Sequence, residues 1–166
     1  MSAFDSSTSS SSSSKPLPAR ALKRVQKELQ RFQEDSVNDS TFRVSVQSDD
    51  VWLITFTGAA GTLYAGETYT LRVRFTPDYP MDSPECVFLL PAPVHTHIYS
   101  NGHICLNILG DDWSPALTAR SICMSVLSML SSATVKEPPQ DDASYSRRKS
   151  TGGPKSTRFI YHDDTV

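Results

Sequence analysis

The hydrophobic period of this chain changes once, from helical to alternating, and that change restricts its fold more than any other feature. Leu22, Val25, Leu29 and Phe32 recur at i, i+3, i+7 and i+10, which predicts an amphipathic helix over about residues 18–34. Pro18 sits where a first helical turn tolerates proline. From residue 42 the spacing is two: Phe42, Val44 and Val46 alternate with Arg43, Ser45 and Gln47. Val51 to Thr57 is a β-rich run, and Gly58 to Gly61 supplies a turn. Tyr69, Leu71, Val73 and Phe75 alternate with Thr70, Arg72 and Arg74, and Cys86 to Leu90 reads as a short apolar strand. Four closely spaced strands with no helix among them predict an antiparallel meander. A helix that precedes the strands, rather than alternating with them, makes the class α+β. A second helix is predicted from about Thr118 to Ser131, where Ile122, Val126 and Leu130 repeat every fourth position.

The ends of the 166-residue chain are different in kind. Residues 6–14 are all serine or threonine. Residues 1–16 cannot bury enough apolar surface to offset the entropy of ordering them, so a disordered tail is expected there. Residues 17–142 form the expected core domain, roughly 120–130 residues, enough for one sizeable core. Residues 143–166 read as a flexible C-terminal segment, with a basic triplet Arg147-Arg148-Lys149 and a closing run from Phe159 to Asp164. The 16 basic and 18 acidic residues nearly cancel, to a net charge of -2, which argues against a nucleic-acid binder. The balance is local as well as global. Arg20, Lys23, Arg24, Lys27 and Arg31, five of those 16 basic residues, fall on the first predicted helix beside Glu28. Such a face is either solvated or a docking surface for an acidic partner.

No run of 18 or more apolar residues is present, and the N-terminus lacks a basic region followed by an apolar stretch, so no membrane association is expected. Three cysteines, Cys86, Cys105 and Cys123, make an odd count that fits a reducing compartment, cytoplasmic or nuclear. Cys86 and Cys123 fall on predicted core faces and read as small buried residues.

The unusual chemistry lies in the long irregular stretch 91–118, and such stretches inside compact domains are usually functional. Before it, residues 77–84 break the strand ladder with three prolines, and Tyr79-Pro80 is a candidate cis peptide. Three of the four histidines, His95, His97 and His103, fall within nine residues, and Cys105 follows two later. Several readings compete. His and thiolate are zinc ligands, but H-x-H-x5-H-x-C matches no usual structural zinc pattern. A cysteine nucleophile with a histidine base would suit a protease, but no protease signature surrounds Cys105. A cysteine that carries an acyl group as a thioester needs an exposed sulfur, a shaped loop and a donor near the developing oxyanion. An inert thiol among merely polar histidines is the remaining possibility.

The stretch His-Thr-His-Ile-Tyr-Ser-Asn-Gly-His-Ile-Cys-Leu-Asn-Ile-Leu over 95–109, followed by Trp-Ser-Pro-Ala-Leu over 113–117, strongly resembles the active-site region of ubiquitin-conjugating enzymes. In that family a His-Pro-Asn tripeptide precedes the acceptor cysteine by eight residues, and Trp-Ser-Pro-Ala begins eight after it. Here His97 to Cys105 and Cys105 to Trp113 are both eight. Residues 21–29 resemble the family's first helix, and Pro77-Asp-Tyr-Pro its proline turn; the likeness covers about residues 18–142. The family's Pro-Asn is replaced by Thr96-His97, and a histidine at the asparagine position is a feature of the W-type members. Those members also share Tyr99 to Leu106, Asp112 to Leu117 and a tail ending near Tyr161 to Asp164.

The resemblance implies a UBC-like fold and a transferase needing no cofactor of its own, ATP being used by the upstream activating enzyme. Its partners would be ubiquitin, the ubiquitin-activating enzyme, RING or U-box ligases, and protein substrates. Cys105 would accept ubiquitin as a thioester. His97 stands where the family's asparagine supports the loop or the oxyanion, and a ring N–H has a different reach and titration from an amide. His95, Tyr99, Asn101 and His103 would shape the active-site loop. Asp141 or Asp142 falls near the family's acceptor-orienting acidic residue, and Lys23, Arg24, Lys27, Met81, Pro115 and Ala116 match its docking positions. In W-type enzymes the acceptor is the α-amino group of a disordered N-terminus, modified once, and the serine-rich tail of this chain is itself such an acceptor. A non-catalytic ubiquitin-binding relative, or a zinc protein built on His95, His97, His103 and Cys105, are the alternatives.

Overall fold

The computed structural model describes residues 15–148. The expectations for the serine-rich tract, and for the segment from residue 149 to the terminal Tyr161–Asp164 run, lie outside the described residues.

Helix α1 spans Ala19–Asn38, four residues beyond the predicted end, through a last turn that makes no core contact, with Val37 82% exposed. The buried stripe is also turned from the one predicted. Ala21, Val25, Glu28 and Phe32 face inward, while Leu22 and Leu29 are only half-buried. Strands β1 (Phe42–Ser48), β2 (Val51–Thr57), β3 (Thr68–Arg74) and β4 (Glu85–Phe88) form one antiparallel sheet in the order β1-β2-β3-β4. This is the expected meander, although β4 ends at Phe88 rather than Leu90, and Leu89 and Leu90 are exposed.

Pairing places Trp52 opposite Val73, Ile54 opposite Leu71, Val73 opposite Cys86 and Leu71 opposite Phe88. Because side chains alternate along a strand, these residues share one face. Helix α2, Ala119–Ser131, begins in a capping box in which Thr118 and Ser121 satisfy each other's backbone N–H groups. Its Ile122, Cys123, Val126 and Leu130 join Val25 and Phe32 of α1 and the sheet's inner face in one core. Aromatic edge contacts run through it, from Phe32 to Trp52 at 6.4 Å and from Trp52 to Phe75 at 4.7 Å. Each such side chain contributes about 1.5–3 kcal/mol on full burial. Cys86 and Cys123 are buried, as their strand and helix positions predicted. Tyr79-Pro80 is cis, and so is Leu90-Pro91.

A third helix, α3 (Asp142–Arg148), occupies positions where the sequence reading places the start of a flexible segment. Seven residues with one buried side chain, Tyr145, have no period to read. Among the described residues, no helix is long and apolar enough to cross a membrane.

Candidate active site

After β4 the chain folds back on itself as a narrow loop pinned by two buried isoleucines. Ile98 pairs with both His95 and Ile104 in short antiparallel bridges, and Ile98 and Ile104 are buried in the core. The Tyr99 N–H donates to the His103 carbonyl and the Gly102 N–H to the Tyr99 carbonyl, both at 2.9 Å, closing a turn over residues 99–103. Gly102 has φ +90°, and an added Cβ would lie 2.3 Å from the Phe88 carbonyl oxygen. The turn therefore requires glycine on two independent grounds. It returns the chain alongside His97, whose carbonyl accepts the Cys105 N–H at 2.8 Å.

This geometry places Cys105 half-buried at the loop's end, followed by a 3-10 turn over Asn107–Leu109. Burial, aided by the nearby Asp141 carboxylate, pushes the Cys105 thiol up to about 11, so it is an uncharged thiol at neutral pH. The His97 ring is exposed. Its backbone N–H donates to His95 Nδ1 at 2.9 Å, so the bonds tying residue 97 into the loop are made by its main chain.

His95 is 5% exposed, and desolvation, with a smaller contribution from His97, lowers it to about 4. It is a neutral strut between the loop and the Met129 backbone. Asn101 accepts the His103 N–H at 3.1 Å. His103 is buried, with Nδ1 hydrogen-bonded to the Tyr145 hydroxyl at 2.8 Å. Tyr99 donates to the Asp141 carboxylate at 3.2 Å, and Asp142 Oδ1 accepts the Ser100 N–H at 2.7 Å. Both candidate acidic residues thus reach the loop.

The four residues of the zinc alternative do not converge. His95 Nδ1 and His103 Nδ1 are each engaged within the protein, and among the described residues no group of three His, Cys, Asp or Glu is placed to hold a metal ion.

The candidate docking residues lie on a separate face. A groove of about 400 Å³ between α1 and the segment leading into α2 is lined by Arg24, Lys27, Arg31, Pro115 and Ala116 among others. Lys23 and Lys27 are exposed, and Met81 is 66% exposed in the proline turn. Arg24 is instead a tie: its Nη2 donates to the Pro115 and Leu117 carbonyls at 2.8 and 3.0 Å, and its Nε to Glu28 at 3.0 Å. Trp113 Nε1 donates to the Pro80 carbonyl at 2.9 Å, joining the Trp-Ser-Pro-Ala segment to the proline turn.

Two residues that organise these sites escaped the sequence reading. Glu28 is 7% exposed and accepts from Arg24 and from the Tyr79 hydroxyl. The signal for it was its place between Val25 and Phe32 on the inward stripe, four residues after Arg24. Tyr145 of α3 has no comparable signal.

The comparisons with known proteins agree with this architecture. A family model described as ubiquitin-conjugating enzyme matches residues 24–154. The chain is 51% identical over 162 residues to ubiquitin-conjugating enzyme 15 of Arabidopsis thaliana, covering 96% of this chain and 99% of that protein. It is 48% identical over 149 residues to ubiquitin-conjugating enzyme E2 W of Caenorhabditis elegans, covering 88% of this chain and 97% of that protein. The crystal structure of a ubiquitin-conjugating enzyme E2 from Agrocybe aegerita superposes with a TM-score of 0.75 at 39% identity, covering 81% of this chain and 97% of that one. A helix, a four-stranded meander, a pinned loop ending in a half-buried cysteine and a match across most of the length have one common description: the chain belongs to the ubiquitin-conjugating enzyme family.

Proposed function

We propose that Cys105 accepts ubiquitin from the activating enzyme as a thioester and passes it, as a single unit, to the α-amino group of proteins with disordered N-termini. The observation that carries this reading is the position of Cys105. Among the three cysteines it alone is half-exposed, and it ends a loop whose backbone bonds hold its own N–H.

In the first step the Cys105 sulfur attacks the thioester carbonyl of the charged activating enzyme. A C–S bond forms to Cys105, the other enzyme's sulfur leaves, and the Cys105 proton is released. ATP has been spent upstream. In the second step an amine nitrogen attacks the new thioester, a C–N bond forms, and Cys105 departs as thiolate and regains a proton. Thioester formation divides one difficult acyl transfer into two easier ones. Burial keeps the resting thiol largely protonated, so little reactive thiolate is present at neutral pH.

The acceptor preference rests on proton availability. An unperturbed α-amine has a pKa of ~7.7–8.0 and lysine ~10.4, so at pH 7 roughly 200- to 400-fold more of the α-amine is neutral and nucleophilic. His97 takes the family's asparagine position, supporting the loop through its carbonyl and presenting an exposed ring beside the thioester. Asp141 and Asp142, held by Tyr99 and Ser100, border the approach of the amine. The activating enzyme and RING or U-box ligases compete for the groove lined by Lys27, Pro115 and Ala116, with the exposed Lys23 and Met81 as further contacts. The setting for this chemistry is cytoplasmic or nuclear.

The test is to incubate the chain with activating enzyme, ATP and ubiquitin. A thiol-labile adduct on the wild type and a thiol-resistant ester on Cys105→Ser are expected. The charged enzyme is then chased with peptides carrying a free or an acetylated N-terminus. Failure to charge refutes the acyl-carrier reading, and equal discharge to both peptides through lysine refutes the α-amine preference.

A further inference from the structure

Helix α3 reaches the active-site loop through one aromatic side chain. Tyr145 is 4% exposed, and its ring stacks on Tyr99 with centroids 3.7 Å apart and planes 21° apart. Its hydroxyl lies 2.8 Å from His103 Nδ1. Tyr99 and His103 are the two ends of the 99–103 turn, joined to each other by the Tyr99 N–H to His103 carbonyl bond. A single side chain therefore grips both ends of the turn. The helix adds two polar contacts to the turn's tip, from Asp142 Oδ1 to the Ser100 N–H at 2.7 Å and between the Ser100 and Ser146 hydroxyls at 3.1 Å. His103 is followed by Ile104 and then by Cys105.

We propose that Tyr145 is a positioning residue for acyl transfer from Cys105: by clamping Tyr99 against His103 it holds the turn, and with it the thioester, where an incoming amine can attack. The proposal rests on the acyl-carrier reading of Cys105. Reacting atoms must be held to fractions of an ångström, and a misplacement of about 1 Å can cost about 10²-fold in rate. Stacked aromatic rings supply such a hold beyond their burial. The clamp acts on the loop and not on the groove where partners dock, so it governs discharge and leaves charging alone.

The experiment uses the full chain with Tyr145→Leu, Tyr145→Ala and Tyr145→Phe. Each protein is charged with ubiquitin, the charging rate is recorded, and the adduct is chased with a free-N-terminus peptide over a concentration series. Charging is expected within about twofold of wild type for all three. Tyr145→Leu and Tyr145→Ala are expected to lower the saturating discharge rate about tenfold, with the half-saturating peptide concentration unchanged. Tyr145→Phe, which keeps the stack, is expected to restore the rate to within about threefold of wild type.

Tyr145→Leu keeps an apolar side chain in place and carries the test if Tyr145→Ala does not fold. Wild-type discharge by the leucine variant overturns the proposal. So does a loss shared equally by charging, a change confined to half-saturation, or no recovery with phenylalanine. Absence of charging in the wild type refutes the parent reading instead. If wild-type discharge proceeds only to lysine peptides, the same series is run with that acceptor.

Discussion

His95 enters the folded state as a neutral ring, and this sets how the protein responds to acid. The ring accepts the His97 N–H at Nδ1 and hydrogen-bonds the Met129 backbone, so it joins the active-site loop to helix α2. Burial lowers its pKa to about 4 from the ordinary histidine value of 6.5. The unfolded chain therefore binds a proton near pH 6.5 that the folded chain refuses until about pH 4. Stability from this group is complete above pH 6.5 and is lost as pH falls, with the loss ending below about pH 4. Between those values the slope is about 1.4 kcal/mol per pH unit, and the total is about 3 kcal/mol.

The perturbation is His95→Gln, which cannot titrate but keeps a hydrogen-bonding amide. Urea unfolding of both proteins from pH 7.5 to 4 is the assay. Asp39 and Glu67, held below the usual carboxylate range chiefly by Thr41 and Lys136 respectively, also lose stability in acid. They are present in both proteins, so the difference between the two curves isolates His95. The wild type starts above the variant at pH 7.5 and converges on it, or falls below it, by pH 4. Curves that run parallel throughout would falsify the assignment of His95 as a buried neutral strut.

Native alkylation of Cys105 by iodoacetamide is expected to quicken about tenfold per pH unit through pH 9, because its thiol pKa is pushed up to about 11. A plateau before pH 9, read by mass spectrometry, would contradict that, and Cys86 and Cys123 should remain unmodified because they are buried. Gly102→Ala should destabilise the fold by about 1–3 kcal/mol in urea unfolding, since the new Cβ meets the Phe88 carbonyl and adopts a positive φ. A variant within a few tenths of a kcal/mol of wild type would show that the turn relaxes freely. Self-modification at the chain's own α-amine should vanish when that amine is acetylated, as read by peptide mapping of the charged, chased enzyme; unchanged self-modification would contradict α-amine transfer.

Much of the fold was legible because its signals are periodic. Leu71 and Val73 are buried between half-buried neighbours, as the alternation from Tyr69 to Phe75 predicts, whereas β2 and β4 are legible as strands without a face, and Val46 of the alternating β1 run is exposed. The active-site segment was legible for another reason. Its residues are close in sequence, and the eight-residue intervals on either side of Cys105 survive as a pinned loop and a tethered tryptophan. Where a boundary depended on packing, the reading slipped. Helix α1 continues through an exposed turn, and β4 stops short of Leu89 and Leu90, whose side chains are exposed even though the Leu89 N–H still bonds the Thr70 carbonyl.

The order of elements, the class and the family were fixed by the amino-acid sequence, because period and local spacing are properties of neighbouring residues. The tertiary structure alone decided which polar groups carry weight. Glu28 looks like one acid on a basic helix, paired at most with Arg24 one turn away, until the fold brings it the Tyr79 hydroxyl from a distant part of the chain. Arg24 looks like a free docking cation until the Pro115 and Leu117 carbonyls claim it. Tyr145 has no pattern around it, and its role follows from stacking on a residue far away in the chain. A buried polar group is defined by its partners, and those partners are chosen by the fold.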